Sequence, residues 1–382
     1  MTFDLRIYIV VGIFIIVCIS LMIFNFVIMY YGRKNVTLAS KTRKWRETLY
    51  RQAMIVPKNK SNVSKHQKYL LKNLSDADNL VAYSRALQYI KSEFSEAYNH
   101  YMRDSDGTFS KLAGAYSTKP TIERTCFANF ICNFPEAAGS TYDKLVDALI
   151  SFIYNSDIYC RTNVVRAFCH IGTVEGVANA LQVMSDRNLF IHNQLLTDIL
   201  SEFAGDKEDL GEYLCMESER LNDNIMASII QFITRFSDNY NEEFLLVLQN
   251  PSSGTKMRAA IIRYFEKNIY EPVRPVLVKF ITHPTDINLT IEAITALALY
   301  PSPDTTATLI NALFNPRWQI RYNASYALVR LLRKADLLKL LEGESEHVRE
   351  IIDYMLELEA RLQNTDQAQA LHEAMASGGM IA

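Results

Sequence analysis

The amino-acid sequence predicts an all-α protein, a solenoid of stacked helix pairs joined to one N-terminal transmembrane helix. Three observations predict this fold class. An uncharged apolar run fills residues 7–31, a helical pattern of apolar residues recurs at steps of 28 to 38 residues, and prolines follow several of the segments between the copies. Repeats of this length indicate units that bury their apolar faces only by stacking on one another.

The run from Ile7 to Tyr31 contains no charged residue, and Ser20 and Asn25 are its only strongly polar side chains. As a helix it is about 37 Å long at ~1.5 Å per residue, which exceeds the ~30 Å hydrocarbon core of a bilayer. A signal peptide would have an apolar region of about 7–15 residues and a small-residue cleavage site. The run is longer, and Arg33 follows it closely, so we predict an uncleaved anchor.

Positive charge is concentrated on the C-terminal side of this run. Eleven Lys or Arg residues and one acidic residue, Glu47, lie between Arg33 and Lys68, whereas only Asp4 and Arg6 are charged before the run. The positive-inside rule then predicts a single-pass cell-membrane protein with its N-terminus outside and its body in the cytoplasm. The membrane-proximal basic residues that we expect near anionic headgroups are Arg33, Lys34, Lys41, Arg43, Lys44 and Arg46.

The rest of the chain is acidic. From residue 69 onward there are 28 Lys or Arg residues and 40 Asp or Glu residues, so the body has a net charge near −12. A general nucleic-acid binder needs a basic stripe. The composition therefore argues against nucleic acid as a partner.

The repeat is clearest after the turn at Pro316, where an apolar helix face with the spacing 0, +4, +7, +8 begins at Ile320. This spacing is typical of a helix that faces a core. The first and third copies are weaker, because Asn129 and Asp198 occupy their third position. Copies of this frame begin at Ile122, Cys160, Ile191, Ile225, Met257, Leu289, Ile320 and Val348.

A second helix is predicted between successive copies. Examples are Asn241–Gln249, Ile269–Ile281 and Thr305–Phe314, each followed within a few residues by a proline that cannot continue the helix. Acidic residues placed to serve as N-caps are Asp157, Asp223 and Asp286.

These patterns divide the chain into four parts. They are an N-terminal segment with the span (1–32), a basic juxtamembrane linker (33–64), a solenoid (65–362) whose first part (65–106) is a divergent cap, and a flexible tail (363–382). Terminal repeats are expected to be atypical because one of their faces meets solvent.

The turn, the hydrophobic residue followed by Arg and the small residues after it resemble the HEAT repeat over roughly residues 107–362. The resemblance implies a HEAT-type αα superhelix, in which this Arg commonly bonds to an Asp of a neighbouring turn. We therefore interpret these arginines as structural. The copies beginning at Ile122, Ile191, Ile225 and Leu289 lack the Arg. The dipeptides that keep it are Cys160-Arg161, Met257-Arg258, Ile320-Arg321 and Val348-Arg349.

Motifs that would indicate catalysis or metal binding are missing from the sequence. The seven histidines include no pair at ligand spacing, the six cysteines include no Cys-x-x-Cys pair, and the 13 glycines form no phosphate-binding loop. The cysteines have apolar neighbours, which favours buried, reduced thiols. We predict no catalytic residue, no metal and no cofactor.

The resulting hypothesis is a membrane-tethered scaffold or adaptor that binds a protein partner at the cytoplasmic face. A regulatory subunit of a membrane enzyme, such as an exopolysaccharide glycosyltransferase, is the alternative, and a HEAT-like DNA glycosylase fits less well because the body is acidic. The oligomeric state stays open. Core packing is the default interpretation of the many aromatic residues. The alternative is that some of them are anchors for a protein partner, and the candidates for this role are Tyr98, Tyr101, Tyr116, Tyr142 and Tyr154.

Overall fold

The computed structural model describes residues 2–56, 59–340, 346, 348–358 and 360–361. Within these ranges the chain is helical and contains no β-strand, which confirms an all-helical protein. The helices are α1 (Thr2–Tyr50), α2 (Lys60–Asn73), α3 (Ala77–Glu93), α4 (Ser95–Asp104), α5 (Thr108–Tyr116), α6 (Thr121–Asn133), α7 (Tyr142–Ile153), α8 (Ile158–Ile171), α9 (Val174–Asp186), α10 (Asn193–Ser201), α11 (Lys207–Met216), α12 (Asp223–Ile233), α13 (Asn241–Gln249), α14 (Thr255–Lys267), α15 (Arg274–Thr282), α16 (Ile287–Leu297), α17 (Pro303–Ala312), α18 (Trp318–Leu331) and α19 (Lys334–Leu340). Short π or 3-10 segments cover Arg51–Ile55, Pro135–Thr141, Ser218–Arg220 and Glu271–Val273, and residues 348–358 are helical.

The first helix is much longer than the predicted span. α1 contains 49 residues and is about 74 Å long at ~1.5 Å per residue. Its segment Gly12–Met29 is long and apolar enough to cross a membrane, and none of that segment is buried within the chain. The sequence-based prediction of one N-terminal helix with these properties is confirmed.

Residues 33–64, which we expected to form a linker, instead include the last part of α1 and the start of α2. Trp45 is 6% exposed and Leu49 is completely buried, and this part of α1 packs on α3. The density of basic residues suggested a linker. Arg43, Lys44 and Arg46 are exposed on α1, whereas Leu38, Trp45 and Leu49 follow a helical spacing along the inner face.

The chain divides into two compact units, and the first contains residues 1–184 and 202–206. In this unit α1, α3, α6 and α8 pack in succession, each on the next. A second series runs through α2, α5 and α7. The predicted cap, residues 65–106, corresponds to most of α2, all of α3 and α4, but α1 occupies the first position of its series.

The second unit contains residues 185–201 and 207 onward. Here α10, α12, α14, α16 and α18 pack in succession, and α11, α13, α15 and α17 each contact the helix that follows. The apolar frame residues lie inside this packing. All four residues of the copies that begin at Ile225, Leu289 and Ile320 are buried.

The predicted second helices are present with small shifts at their ends. α13 has the predicted bounds, whereas the helix predicted to begin at Ile269 begins as α15 at Arg274, after the 3-10 turn Glu271–Val273. α17 begins at Pro303, two residues earlier than predicted, because Ser302 caps its N-terminus by accepting from the Thr305 amide. Proline at the first helical position has its backbone angle already fixed for a helix.

Two of the three predicted N-caps are confirmed. The Asp157 carboxylate accepts from the Cys160 amide at 2.8 Å, and Asp286 caps α16 in the same way. The prediction for Asp223 was wrong, because Asn222 is the N-cap of α12. The Asp223 carboxylate reaches the next frame helix, α14, and accepts from the Met257 amide at 2.7 Å and from the amide before it at 2.9 Å.

The predicted flexible tail, residues 363–382, lies outside the described residues. The last repeat copy is described at its four predicted positions, and Val348, Ile352 and Met355 are buried, but residues 341–345, 347, 359 and 362 lie outside the description. The extent of the solenoid over residues 65–362 therefore stays a prediction.

Candidate protein-binding surface

The junction between the membrane helix and the body is built from aromatic rings. Trp45 on α1 lies 5.2 Å from Tyr83 on α3 in an edge-on contact and 5.6 Å from Tyr69 on α2, measured between ring centroids. Aromatic pairs of this geometry contribute about 0.5–1.5 kcal/mol each beyond area burial. One side chain of α1 is thereby held by two other helices.

A hydrogen-bonded chain continues this junction inward. His66 Nε2 lies 2.9 Å from the hydroxyl of Tyr101, which lies 3.2 Å from the hydroxyl of Tyr83. Burial lowers the pKa of His66 to about 4, and burial also raises the pKa of Tyr83 and Tyr101. All three groups are therefore neutral near pH 7, and the junction contains no buried charge from them.

The six basic residues predicted near the membrane are not equivalent. The side chains of Arg33 and Lys34 lie outside the described residues. Lys41 pairs with Asp76 at 3.4 Å, Arg43 with Glu47 at 3.8 Å, and the Arg46 guanidinium lies 4.1 Å from the centroid of the Tyr89 ring. Lys44 is exposed. Contact of these residues with lipid headgroups stays a prediction, and three of the four whose side chains are described have contacts within the protein.

The structure shifts the register of the two weak repeat copies by one residue. Ile122, the predicted frame start, is 72% exposed, whereas Phe127, Phe130 and Ile131 are buried, which is the same spacing begun at residue 123. The copy at Ile191 shifts likewise, so that its buried positions are 196, 199 and 200. The polar residues at positions 129 and 198 then leave the core face.

This shift reveals a repeat arginine that the sequence interpretation missed. Arg124 now follows the frame start, as Arg161 and Arg321 do. It is 8% exposed and donates to the carbonyl oxygens of Phe152 and Tyr154, both at 3.0 Å. It also donates to Asn155 O and to a threonine hydroxyl. Arg124 was visible in the sequence, but the repeat copy was assigned to begin at Ile122 because that residue is apolar, which placed its register one residue too early.

Two of the predicted repeat arginines, Arg161 and Arg321, donate to backbone carbonyls and not to aspartates. Arg161 donates to Ser156 O at 3.3 Å, and Arg321 donates to Asn315 O and Pro316 O at 2.9 and 3.0 Å. Each of these bonds ties a frame helix to the turn before it, which is a structural role. Arg258 and Arg349 differ. Arg258 lies over the Phe280 ring, and Arg349 is exposed.

Ion pairs cover part of the exposed face of the frame helices. In the first unit Arg166 and His170 both contact Glu202, at 2.8 and 3.1 Å. In the second unit Arg235 pairs with Asp198 at 2.7 Å, and a further pair joins α14 to α16 through Arg263 and Glu292. Exposed pairs of this kind stabilise by about 0–1 kcal/mol. Their main consequence is that these charges already have partners.

The tyrosines considered as binding anchors are mostly unsuitable. Tyr98, Tyr101 and Tyr116 are 1%, 3% and 0% exposed, and the hydroxyl of Tyr142 donates to the hydroxyl of Thr173. Only Tyr154, at 39%, has a substantially exposed ring. Core packing, the default interpretation, describes the first three.

A different set of aromatic residues is exposed, on α18. Trp318, Tyr322 and Tyr326 are 61%, 39% and 39% exposed and lie four residues apart, so they share one helix face. The first two rings are 6.2 Å apart in an edge-on contact, and the Arg330 guanidinium lies 5.7 Å from the third. We call Trp318, Tyr322, Tyr326 and Arg330 the aromatic stripe. It is about 18 Å long at ~1.5 Å per residue.

A partly buried carboxyl group adds a polar feature to the same unit. Burial is the main cause that raises the pKa of Glu266, and the negative charge of Glu292 raises it further. The positive charges of Arg263 and Arg330 act in the opposite direction. One carboxylate oxygen of Glu266 is buried and accepts no hydrogen bond from the described residues.

Trp, Tyr and Arg are the residues most enriched in binding hot spots, so the aromatic stripe is the strongest candidate surface for a protein partner.

The described residues contain no group of three or more His, Cys, Asp or Glu side chains placed to hold a metal ion. Four of the six cysteines are buried, and all six are free thiols. Burial raises the pKa of Cys132 and Cys215 to about 12. Such thiols are protonated near pH 7 and are poor nucleophiles.

Comparison with known proteins adds no assignment. No protein-family model matches this chain, and no curated protein matches it.

Proposed function

We propose that the chain is a membrane-anchored scaffold that binds a protein partner through its helical body, and that it performs no catalysis. The observation that carries this proposal is the continuity of α1, which runs without a break from the apolar segment Gly12–Met29 into the body. Because Trp45 and Leu49 are buried against the first unit, the anchor has a set orientation on that unit.

The proposed topology is single-pass in the cell membrane, with the N-terminus outside and the body in the cytoplasm. The charge distribution supports it, since eleven of the Lys and Arg residues lie between residues 33 and 68. The membrane-proximal basic residues would then lie on the side of the cytoplasmic leaflet, whose anionic lipids attract cations.

We propose a HEAT-type αα superhelix for the body. The succession α10, α12, α14, α16 and α18, with a helix between each pair, supports it in the second unit. Further support comes from the repeated position of Arg124, Arg161 and Arg321 after the frame start. Stacked repeats of this type present long surfaces for other proteins.

The proposed partner site is the aromatic stripe. Trp318 and the two tyrosines offer rigid rings with little entropy to lose, and Arg330 supplies a charged end. An anchored body meets only partners at the membrane, at an effective concentration that reaches the millimolar range for short connections. A regulatory subunit of a membrane enzyme, such as an exopolysaccharide glycosyltransferase, is one form of this function. No feature of the described residues favours the DNA glycosylase hypothesis.

Photo-crosslinking in native membranes tests the proposal. A photoreactive amino acid replaces Tyr322 in the full chain, and in a matched control it replaces Tyr159, an exposed tyrosine of α8. We expect a discrete protein adduct at position 322 and none at 159. Replacement of the apolar segment Gly12–Met29 by a soluble tag should reduce the adduct strongly, because the body then no longer meets its partner at the membrane.

Two results would contradict the proposal. Equal adducts at both positions would show that the stripe has no selective partner. An adduct that is unchanged when the apolar segment is replaced would show that the anchor is not needed for binding.

A further inference from the structure

A groove in the second unit combines apolar walls with basic side chains. It has a volume of about 560 Å³ and lies beside α13, α14 and α15. Leu248 and Val276 contribute apolar wall, and Phe280 contributes an aromatic ring. Arg258, Lys279 and His283 supply the basic groups. We call these six residues the basic groove.

Arg258 departs from the pattern of the other repeat arginines. Arg124, Arg161 and Arg321, at the same position of their copies, donate to backbone carbonyls. No described residue accepts a hydrogen bond from the Arg258 guanidinium. Its guanidinium instead lies 5.8 Å from the centroid of the Phe280 ring. Its Nε is buried without a partner, a feature that Arg124 and Arg161 share. A guanidinium carries five N–H donors, so this one has capacity for an external acceptor.

The groove also contrasts in charge with the body around it. From residue 69 onward acidic residues outnumber basic ones by 40 to 28. Among the described residues no Asp or Glu lines the groove. Arg258 and Lys279 both lack an ion pair with any described residue. A positive, unpaired site on an acidic protein indicates an anionic ligand.

We propose that the basic groove binds a peptide segment in which a carboxylate lies next to an apolar side chain. The guanidinium fork of Arg258 matches the two oxygens of a carboxylate. Lys279 adds a second cation at the edge of the groove, and the apolar neighbour of the carboxylate packs on Phe280 and Val276. A site with apolar walls and a few converging polar groups is typical of specific binding.

The apolar wall distinguishes this ligand from simpler anions. Inorganic phosphate would use the cations but leave Leu248, Val276 and Phe280 without a contact. A nucleic-acid strand needs a continuous basic track, and the basic groups here occupy a single groove.

This inference rests on the proposed function only in that a protein partner supplies the segment. The groove and the aromatic stripe share no residue. Loss of binding in the groove therefore leaves the adduct at position 322 as an independent readout of the scaffold function.

Fluorescence anisotropy on the full chain in lipid nanodiscs tests the proposal. The probe is a fluorescein-labelled octapeptide that alternates Leu or Phe with Asp or Glu, and its control contains Asn and Gln in place of the acids. We expect the acidic peptide to bind at least about tenfold more tightly than the amide peptide. Arg258→Gln should weaken binding about tenfold or more, and Phe280→Ala should weaken it although all charges remain. Lys144→Gln, which removes an exposed charge in the first unit, should change nothing.

Lys279→Gln guards against a folding defect of the Arg258 variant, because Lys279 is exposed and its replacement should leave the fold intact. It should weaken binding about threefold. Equal affinity for the acidic and amide peptides, or no effect of both Arg258→Gln and Lys279→Gln, would overturn the proposal. Displacement of the peptide by millimolar inorganic phosphate, together with no effect of Phe280→Ala, would show a general anion site and would also overturn it.

Discussion

Replacement of Trp45 by alanine should release the end of α1 from the body. Trp45 is 6% exposed and contacts the rings of Tyr69 and Tyr83. A buried aromatic side chain removes about 150–250 Å² from water, which at ~25 cal/mol per Å² corresponds to roughly 4–6 kcal/mol. Since such area sums are upper bounds and Trp→Ala changes in cores typically cost about 3–5 kcal/mol, we expect a loss of about 3–5 kcal/mol.

The assay is thiol labelling at position 49. Leu49 is completely buried, so a cysteine placed there by Leu49→Cys reacts only when α1 opens from α3. When reclosing is faster than labelling, the rate reports the free energy of opening. The expected 3–5 kcal/mol corresponds to a rate increase of roughly a hundredfold to several thousandfold. Peptide-resolved mass spectrometry separates this site from the native cysteines.

Val36→Ala is the matched control on the same helix. Val36 is 72% exposed, so its replacement should change the labelling rate by no more than about twofold. The labelling rate of Trp45→Phe should lie between those of the control and the alanine variant, because phenylalanine keeps one aromatic ring. A rate within about threefold of the parent in the Trp45→Ala variant would refute the docking of α1 on the first unit.

Two further predictions concern the first unit. Arg124→Met should lower the free energy of unfolding by about 2–4 kcal/mol in urea titrations, because it leaves several carbonyl oxygens without their donor. Arg161→Met, which loses one hydrogen bond of 3.3 Å, should lower the free energy of unfolding by under about 1 kcal/mol. Equal losses in the two variants would contradict a larger structural role for Arg124 than for Arg161. Burial lowers the pKa of His66 from 6.5 to about 4, so the unfolded chain takes up the proton first as pH falls. The stability from neutral His66 is complete above pH 6.5 and declines between pH 6.5 and 4. His66→Gln should therefore reduce the drop in Tm between pH 7.5 and 5, and an unchanged drop would contradict this assignment.

The apolar periodicity located most frame helices but not the register of the two weak copies. At Ile122 an apolar side chain stands on the exposed side of α6, while Arg124 stands on the buried side. A pattern that scores apolar residues places both on the wrong face. Burial of Arg124 is stabilised by carbonyl acceptors about 30 residues away in the sequence. An analysis of neighbouring residues alone does not include these acceptors.

Charge density misled the interpretation of residues 33–64 for a similar reason. Lys41, Arg43 and Arg46 indicated a solvated linker, but each has a contact within the protein. The apolar spacing of Trp45 and Leu49 was present in the sequence as well. The last part of α1 has few apolar residues, but it is stable as a helix because α3 covers those residues.

The sequence by itself determined the features that depend on neighbouring residues. These are the helical class, the apolar segment long enough to cross a membrane, the capping residues Asp157 and Asp286, and the buried faces of most repeat copies. Each follows from side chains within one or two helical turns. The tertiary structure alone decided that α1 packs on α3 and that Asp223 caps α14 rather than its own helix. It also decided that the Arg258 guanidinium has no acceptor among the described residues while that of Arg124 has several. In each case the partner lies some 30 residues away or is missing, so only the packing of one helix on the next determines it.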